Sequence, residues 1–475
     1  MHRRVPIRPG SKSNLLSLIA ERASAGILLG VVAFAPWPYG SLESGWIVLW
    51  CTVLSLSLVC ASLKDVRWPH LGLLVPITSF MALVCGVVWL QSLSDPPFSL
   101  AHPIWMGAAD LLGFRIAGRI SVVPQQGWFY LGTPFCFFLA LLSATFGSAS
   151  RGGAWFIMRT SAAIGALYAA YALGSLLYDS IDILWSDRAR RIDILSEPFI
   201  NRNHTAAFYG AATIVWFGLA LNELPSRIES QRIGFLDVVR AQAEASPWKL
   251  GIALSGFLLC ITATFMTLSR GGLLLTLASL VICVGLFSYK FFQTRRKFLL
   301  GAAGILFTGA VFVEVWGGAL AYRIGMEGIK DFDRWETYRS TVALIRDYPL
   351  FGTGLGSFQN VFPAYRSDVF STRKVWDYAH NHLLELAADL GLIVAAVAVL
   401  VFIFLIAVFA RGFVRRRRDA AIPLIGFGVT ILLATHSMVD APLQIPAIAI
   451  LAGAIVGCGL AQCVSTSRPL EAARD

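Results

Sequence analysis

The residues best suited to chemistry are the histidines of Ala379-His380-Asn381-His382, which stand at the start of a long apolar run. A histidine placed where a membrane helix meets water can exchange a proton near neutral pH without being fully desolvated. We therefore predict that His380 is a catalytic general base. Its neighbour Asn381 is predicted to fix the imidazole ring or to bind substrate.

A second candidate is Arg270, in the sequence Leu268-Ser269-Arg270-Gly271-Gly272 between two apolar runs. An arginine between two membrane spans is costly unless it faces a cavity or an anion. Its planar guanidinium matches phosphate oxygens, and the paired glycines let a phosphate approach the backbone closely. The pattern favours a phosphate ligand, and the alternative is an arginine whose side chain reaches the membrane surface.

Two asparagines, Asn201 and Asn203, precede the apolar run at residues 205–222. Asparagine side chains at such a position accept hydrogen bonds from the free amides at the start of a helix. They can also form hydrogen bonds with sugar hydroxyls. The sequence leaves both interpretations open, and we treat both residues as candidate substrate ligands.

A polar stretch at residues 317–382 separates two apolar runs and contains two predicted short helices. In the first, Trp335, Tyr338, Val342 and Ile345 recur at helical spacing. This spacing predicts a helix with an apolar face that lies along the membrane surface. The second helix follows a glycine-rich turn.

Three charged residues on the predicted outer face are candidate substrate ligands: Arg334, Arg366 and Asp440. The alternative for each is a charge that is simply solvated. Metal binding by His380 and His382 is not favoured, because two residues at this spacing on a helix point about 200° apart. We predict neither a metal site nor a cofactor.

The glycines of the segment Phe351 to Phe358 superficially resemble a dinucleotide-binding loop. No predicted strand precedes this segment and no lysine follows it, so the nucleotide interpretation lacks its structural context. We predict a tight glycine turn instead.

Composition identifies the protein class. The chain has 475 residues, of which 56% are hydrophobic and 14% charged, with a mean hydropathy of +0.67. A soluble protein of this length needs far more polar surface, so a polytopic membrane protein is predicted. The net charge of +11 comes from short scattered clusters without interleaved aromatic residues, which argues against nucleic acid as a partner.

The predicted fold is an all-α polytopic membrane protein with roughly twelve transmembrane helices and one large, partly helical loop on the outer face. Starting with the N-terminus inside, the positive-inside rule places Arg270, His380 and the polar stretch on the outer face. The apolar runs of spanning length cover about residues 15–34, 46–63, 71–91, 127–147, 154–178, 205–222, 250–268, 272–291, 298–316, 383–410, 421–437 and 446–464.

These motifs resemble the O-antigen ligase and O-antigen polymerase superfamily of bacterial envelope glycan transferases. The resemblance covers about residues 195–450 and does not separate ligase from polymerase. The matching elements are Asn201-Arg202-Asn203, Ser269-Arg270-Gly271, the run from Arg334 to Phe358, His380-Asn381 followed after nine residues by Gly391, and His436-Ser437-Met438-Val439-Asp440 with Pro442-Leu443-Gln444.

The resemblance implies transfer of a glycan from undecaprenyl diphosphate to an acceptor sugar hydroxyl, without a nucleotide sugar, metal or cofactor. The acceptor is lipid A-core in a ligase and a growing glycan in a polymerase. The family's catalytic histidine corresponds to His380 and its diphosphate-binding arginine to Arg270. The implied location is the bacterial inner membrane, with the active site facing the periplasm.

Four regions follow from these assignments. Residues 1–194 are N-terminal transmembrane helices without a motif match, and residues 195–316 are transmembrane helices that carry the Asn-Arg-Asn and Ser-Arg-Gly motifs. Residues 317–382 form the periplasmic loop, and residues 383–475 form the C-terminal transmembrane helices and a cytoplasmic tail. A lipid-linked glycan transporter is a lesser alternative, but it would favour charged residues buried at mid-membrane.

Overall fold

The computed structural model describes residues 12–96, 100–177, 195–223, 247–291, 303–304, 332–367, 376–416 and 418–464. All regular secondary structure in these residues is helical, which confirms the predicted all-α class, whereas the large periplasmic loop is not confirmed. The first half of the chain forms α1 (Lys12–Phe34), α2 (Ser44–Val59), α3 (Trp68–Ser92), α4 (Ile104–Leu112), α5 (Gln126–Tyr130), α6 (Gly132–Gly147), α7 (Arg151–Leu177) and α8 (Arg202–Asn222).

The second half continues with helices of two kinds, long apolar ones and the short helices near the predicted site. They are α9 (Pro247–Met266), α10 (Arg270–Phe291), α11 (Phe332–Asp347), α12 (Phe358–Tyr365), α13 (His382–Leu390), α14 (Leu392–Arg415), α15 (Ala421–His436), the 3-10 turn Pro442–Gln444 and α16 (Pro446–Ala461).

Seven helical segments among the described residues are long and apolar enough to cross a membrane: α3, α5 with α6, α7, α8, α9, α10 and α14. Four shorter apolar helices are the later part of α1, α2, α15 and α16. The chain is thus a multi-pass membrane protein. The predicted total of roughly twelve spans is not confirmed, and the predicted run at residues 298–316 lies almost entirely outside the described residues.

Helices α8 and α16 form the centre of the bundle, because nearly all of their residues are buried. Helix α16 lies very close to α6. A Cβ atom added to Gly457 would lie 2.2 Å from the carbonyl oxygen of Leu141. Small residues allow this approach between apolar helices. This packing holds in place the segment just before α16, which contains Asp440.

The apolar run at residues 383–410, predicted as one span, is two helices. Gly391 separates α13 from α14 and has a φ of +89°. A Cβ atom at Gly391 would lie 2.0 Å from the carbonyl oxygen of Leu350, so the close approach and the backbone angle both require glycine. Only α14 is long enough to span, and α13 is a separate short helix before it.

The polar stretch contains both predicted short helices, α11 and α12, but the predicted apolar face of α11 is only partly correct. Trp335 is 65% exposed, whereas Thr337, Thr341 and Leu344 are buried. The hydroxyl of Thr341 donates to the carbonyl oxygen of Thr337 at 2.7 Å, which satisfies this polar group locally. Thr337 and Thr341 therefore lie on the buried face of α11, which the spacing of apolar residues did not predict.

The glycine-rich segment forms a turn that packs against α13. The amides of Thr353 and Gly354 donate to the carbonyl oxygens of Ala388 and Asp389, each at 3.0 Å. The amide of Gly356 donates to the carboxylate of Asp389 at 2.7 Å. Burial, and next the nearby charge of Glu385, raise the pKa of Asp389 well above its usual range. The amides of this turn hold α13 in place.

Candidate active site

Asp440 is the centre of a polar cluster that joins three distant parts of the chain. Its Oδ2 accepts a hydrogen bond from Nδ2 of Asn203 at 2.6 Å. Its Oδ1 lies 3.6 Å from Nδ1 of His380 and 3.7 Å from Nε2 of His204. Burial alone would raise the pKa of Asp440, but the two imidazoles hold it well below its usual range. Asp440 is therefore a buried anion at neutral pH.

Asn203 extends this cluster to the start of α10. Its Oδ1 accepts a hydrogen bond from the hydroxyl of Ser269 at 2.7 Å. Asn201 has a different local role, because its side chain accepts from the amide of Asn203 at 2.8 Å and caps α8. The two asparagines of one motif thus separate into a helix cap and a link between helices.

Arg270 is the first residue of α10 and directly follows Ser269, so the cluster fixes the backbone on which it stands. The contact between α8 and α10 is tight: a Cβ atom on Gly272 would lie 2.3 Å from Cβ of Ala206. Leu268, just before the motif, has a φ of +50°. Arg270 therefore lies at a sharp, closely packed corner between α9 and α10.

His380 precedes α13 and is not part of a helix. The prediction that His380 and His382 lie on one helix and point about 200° apart is therefore wrong in its premise. His380 has a φ of +51°, and its carbonyl oxygen accepts from the hydroxyl of Tyr338 at 2.9 Å. Asn381 caps α13, because its Oδ1 accepts from the amide of Leu384 at 3.1 Å. The side chain of His380 is 26% exposed, so a substrate can reach it.

Nδ1 of His380 is buried and forms no hydrogen bond with any residue that the structure describes. Its closest acidic neighbour in those ranges is Asp440, at 3.6 Å. The ring also lies edge-on to Trp376, with 5.6 Å between ring centroids. The imidazole therefore has one nitrogen directed at a buried carboxylate.

His382 occupies a different environment. Nε2 of Gln444 lies 3.1 Å from its Nδ1, and its backbone amide donates to the carbonyl oxygen of Ser437 at 2.8 Å. Burial lowers the pKa of His382 to about 4. His382 is therefore a neutral, partly buried side chain that packs within the protein.

Sequence reasoning did not select Glu385, which supports the backbone at His380. One of its carboxylate oxygens accepts from the amide of Ala379 at 2.8 Å, and the other accepts from Nε2 of Gln444 at 2.7 Å. Burial is the main reason that the pKa of Glu385 is raised to about 7. A glutamate within the apolar segment Leu383 to Leu390 is a signal that would have identified it.

The two remaining candidates, Arg334 and Arg366, lie on different helices. Arg334, on α11, donates from Nη1 to the carbonyl oxygen of Val439 at 2.9 Å, next to Asp440. Arg366 is the C-cap of α12, and the segment that follows it lies outside the described residues. Sequence reasoning also passed over His204, which shares Oδ1 of Asp440 with His380.

Histidine, cysteine and acidic side chains do not form a metal-binding group of three or more in the ranges given above. A buried carboxylate next to a partly exposed imidazole is instead suited to proton transfer. The arrangement lies close to an arginine at the N-terminus of a helix, where an anion is stabilised. The cluster thus combines a candidate base with a candidate anion ligand.

Residues 255–399 match the family model described as O-antigen ligase. This segment is an O-antigen ligase domain. The superfamily predicted from the motifs is confirmed, and the match supports an enzyme family of ligase or polymerase type. A search of curated proteins found no match.

The O-antigen ligase domain begins within α9 and ends within α14. It includes Arg270, Arg334 and His380, whereas Asn203 and Asp440 lie outside it. Their connection to His380 therefore rests on the contacts in the structure. The polar cluster thus includes residues from α8 and from the segment after α15 as well as residues of the matched segment.

Proposed function

We propose that this chain is a ligase-type glycosyltransferase of the bacterial inner membrane. It moves a glycan from undecaprenyl diphosphate to a sugar hydroxyl of lipid A-core, at the periplasmic face. The observation that carries the proposal is the contact between His380 and Asp440 within the cluster that also contains Ser269, the neighbour of Arg270. This arrangement supports a base and a diphosphate ligand within one site.

In the proposed reaction, His380 is the general base. Asp440 faces Nδ1 and favours the tautomer with a proton on that nitrogen, which leaves Nε2 free to accept the proton of the acceptor hydroxyl. The hydroxyl oxygen attacks the anomeric carbon as the bond from that carbon to the diphosphate oxygen breaks. The proton goes to His380, the electron pair leaves with the diphosphate, and the anomeric configuration is inverted.

Arg270 is the proposed ligand for the leaving diphosphate. Negative charge grows on the bridging oxygen as the glycosidic bond breaks, so a fixed cation at that point lowers the barrier. The guanidinium can form two parallel hydrogen bonds to phosphate oxygens, and the N-terminus of α10 adds a partial positive charge. In this proposal the protein itself supplies the charge and no metal ion is required.

The other candidate residues are proposed substrate ligands at the edge of this cluster. Arg334 holds the carbonyl oxygen of Val439 with Nη1, and Arg366 is partly exposed at the end of α12. Asn381, Asn201 and Asn203 supply amide groups suited to sugar hydroxyls. Since Asn201 and Asn381 also cap helices, their substitution would affect stability as well as binding.

An O-antigen or exopolysaccharide polymerase is the second candidate, because the matched family supports both reaction types. Deletion of the gene separates them. Long glycan chains that accumulate on undecaprenyl diphosphate support the ligase, whereas lipid A-core capped with a single repeat unit supports the polymerase. If the deletion strain accumulates neither product, both proposals are contradicted.

The direct test uses purified protein with undecaprenyl-diphosphate glycan and lipid A-core. The proposal predicts that glycan appears on the acceptor while undecaprenyl diphosphate is released. The same result is expected when a metal chelator is present. Movement of intact lipid-linked glycan across a vesicle membrane without cleavage would instead support a transporter. Because release of the carrier is measured directly, the two outcomes are distinct.

A further inference from the structure

Residues 93–96 and 100–125 lie between α3 and the segment of α5 and α6, which places them at one surface of the membrane. Both α3 and the segment of α5 and α6 are long enough to span. The residues between them lie at the same surface as α13. Nε2 of Gln91, at the end of α3, donates to the carbonyl oxygen of Asp389 at 2.7 Å. The amide of Val122 donates to the carbonyl oxygen of Thr353 at 2.9 Å, in the turn that holds α13.

Helix α4, between α3 and α5, exposes large apolar side chains that a water-facing helix would not favour. Met106 is 70% exposed, Leu111 90%, Leu112 60% and Phe114, just after the helix, 62%. A short helix with several large exposed apolar side chains is typical of contact with a membrane or a partner. Because α4 lies in the connection between two candidate spans, its exposed apolar side chains suit the boundary between headgroups and acyl chains.

A cavity of about 500 Å³, open at the protein surface, lies beside α4. This volume is within the range of small-molecule binding sites. Arg119 is the only charged residue among the described residues that line the cavity. The amides of Gln125 and Gln126 also line it, and both side chains are exposed.

Arg119 differs from its neighbour Arg115 in its interactions. Arg115 lies outside the cavity lining and pairs with Asp95 at 3.6 Å. The guanidinium of Arg119 has neither an ion pair nor a hydrogen bond with the parts of the chain that the structure describes. It is partly buried, so an anion bound beside it would offset part of the cost of removing its charge from water.

The walls of the cavity are held by the protein. Nε1 of Trp105 donates to the carbonyl oxygen of Ser121 at 3.2 Å, which fixes the indole at the rim. The amide of His102 donates to the carbonyl oxygen of Arg119 at 2.7 Å, which fixes the backbone below the guanidinium. A binding site with walls fixed in this way loses little entropy when it is filled.

We propose that this cavity binds the phosphate headgroup of an anionic phospholipid, with α4 inserted at the adjacent membrane interface. The guanidinium of Arg119 matches two phosphate oxygens, and the glutamine amides suit the remaining headgroup oxygens. Trp105 occupies the interfacial level at which tryptophan is enriched in membrane proteins. The exposed apolar side chains of α4 favour a lipid over a soluble acidic glycan.

The test measures retention of phosphatidylglycerol by the purified full-length protein, by native mass spectrometry after delipidation and titration. Wild type is expected to bind it more tightly than phosphatidylcholine. Arg119→Gln should weaken phosphatidylglycerol binding about tenfold, as expected when a charged hydrogen-bonded pair is lost. Arg115→Gln, the matched control, should bind like wild type.

Three results would overturn the proposal. One is equal phosphatidylglycerol binding by wild type and Arg119→Gln. Another is an equal loss in Arg115→Gln, which would show only a diffuse attraction to charge. The third is competition by a soluble acidic oligosaccharide but not by phospholipid, which would identify a glycan site. None of these results depends on glycan transfer, so the proposed function is tested separately.

Discussion

Oδ1 of Asp440 lies 3.6 Å from Nδ1 of His380, although the two residues come from segments on either side of α13, α14 and α15. The carboxylate is buried and the imidazole is partly exposed. A general base needs this asymmetry, because one nitrogen must be held by the protein while the other reaches substrate. The contact therefore unites the histidine motif and the aspartate motif in one proposed base.

Substitution of Asp440 tests this coupling. Asp440→Asn keeps the size of the side chain and can still accept from Asn203, but it removes the negative charge facing His380. We expect kcat for glycan transfer to fall about 10²-fold to 10⁴-fold, with a smaller change in KM. Steady-state transfer assays on the purified variant check this. A wild-type kcat would show that Asp440 is only structural.

Arg270→Lys should damage transfer nearly as much as Arg270→Ala, because a point charge cannot reproduce two parallel hydrogen bonds to a diphosphate. The quantity to measure is the affinity for the lipid-linked donor. Arg339→Lys is the matched control, since Arg339 is an exposed residue of α11 that pairs with Glu336 at 3.0 Å. Full donor affinity in Arg270→Lys would show that Arg270 is only a positive charge at the membrane surface and not a specific diphosphate ligand.

The raised pKa of Glu385 predicts that the free energy of unfolding depends on pH. This pKa is about 7 in the folded protein, against an ordinary value of 4.5. The folded state therefore holds this proton more tightly, and the free energy of unfolding falls as pH rises from about 4.5 to about 7. Glu385→Gln should reduce this dependence. Thermal unfolding of wild type and variant across that range measures the difference, and parallel curves would contradict the assignment.

Gly391→Ala should destabilise the protein by more than a typical glycine substitution. The added Cβ would lie 2.0 Å from the carbonyl oxygen of Leu350, at a residue with a φ of +89°. Gly107→Ala in α4 is the control, because no atom lies within 4 Å of its added Cβ. The thermal midpoint should fall clearly for Gly391→Ala and stay level for Gly107→Ala. Equal midpoints would refute the close packing of α13.

The sequence predicted the helical class and most apolar helices because long apolar runs carry their own signal. It also selected His380, Arg270, Asn203 and Asp440, since polar residues between such runs are conspicuous. It did not predict the division at Gly391, because a single glycine leaves the hydropathy of the run nearly unchanged. That one residue determines the direction of α13.

The roles of Asn201, Asn203 and Glu385 could not be distinguished from the sequence. Asn201 caps a helix while Asn203 links Ser269 to Asp440, and this difference arises only from the packing of α8 against α10. Glu385 reaches Gln444 across a tertiary contact between α13 and the 3-10 turn. Such contacts join segments that are far apart along the chain, so no local pattern contains them.

The central claim is that His380 is the base, and one comparison tests it most directly. Purified, folded His380→Ala and His382→Ala are assayed for transfer from undecaprenyl-diphosphate glycan to acceptor, with donor binding measured in parallel. We predict that His380→Ala binds donor and fails to transfer, whereas His382→Ala, which loses only an internal contact with Gln444, keeps part of its activity. Wild-type transfer by His380→Ala together with loss in His382→Ala would contradict the assignment.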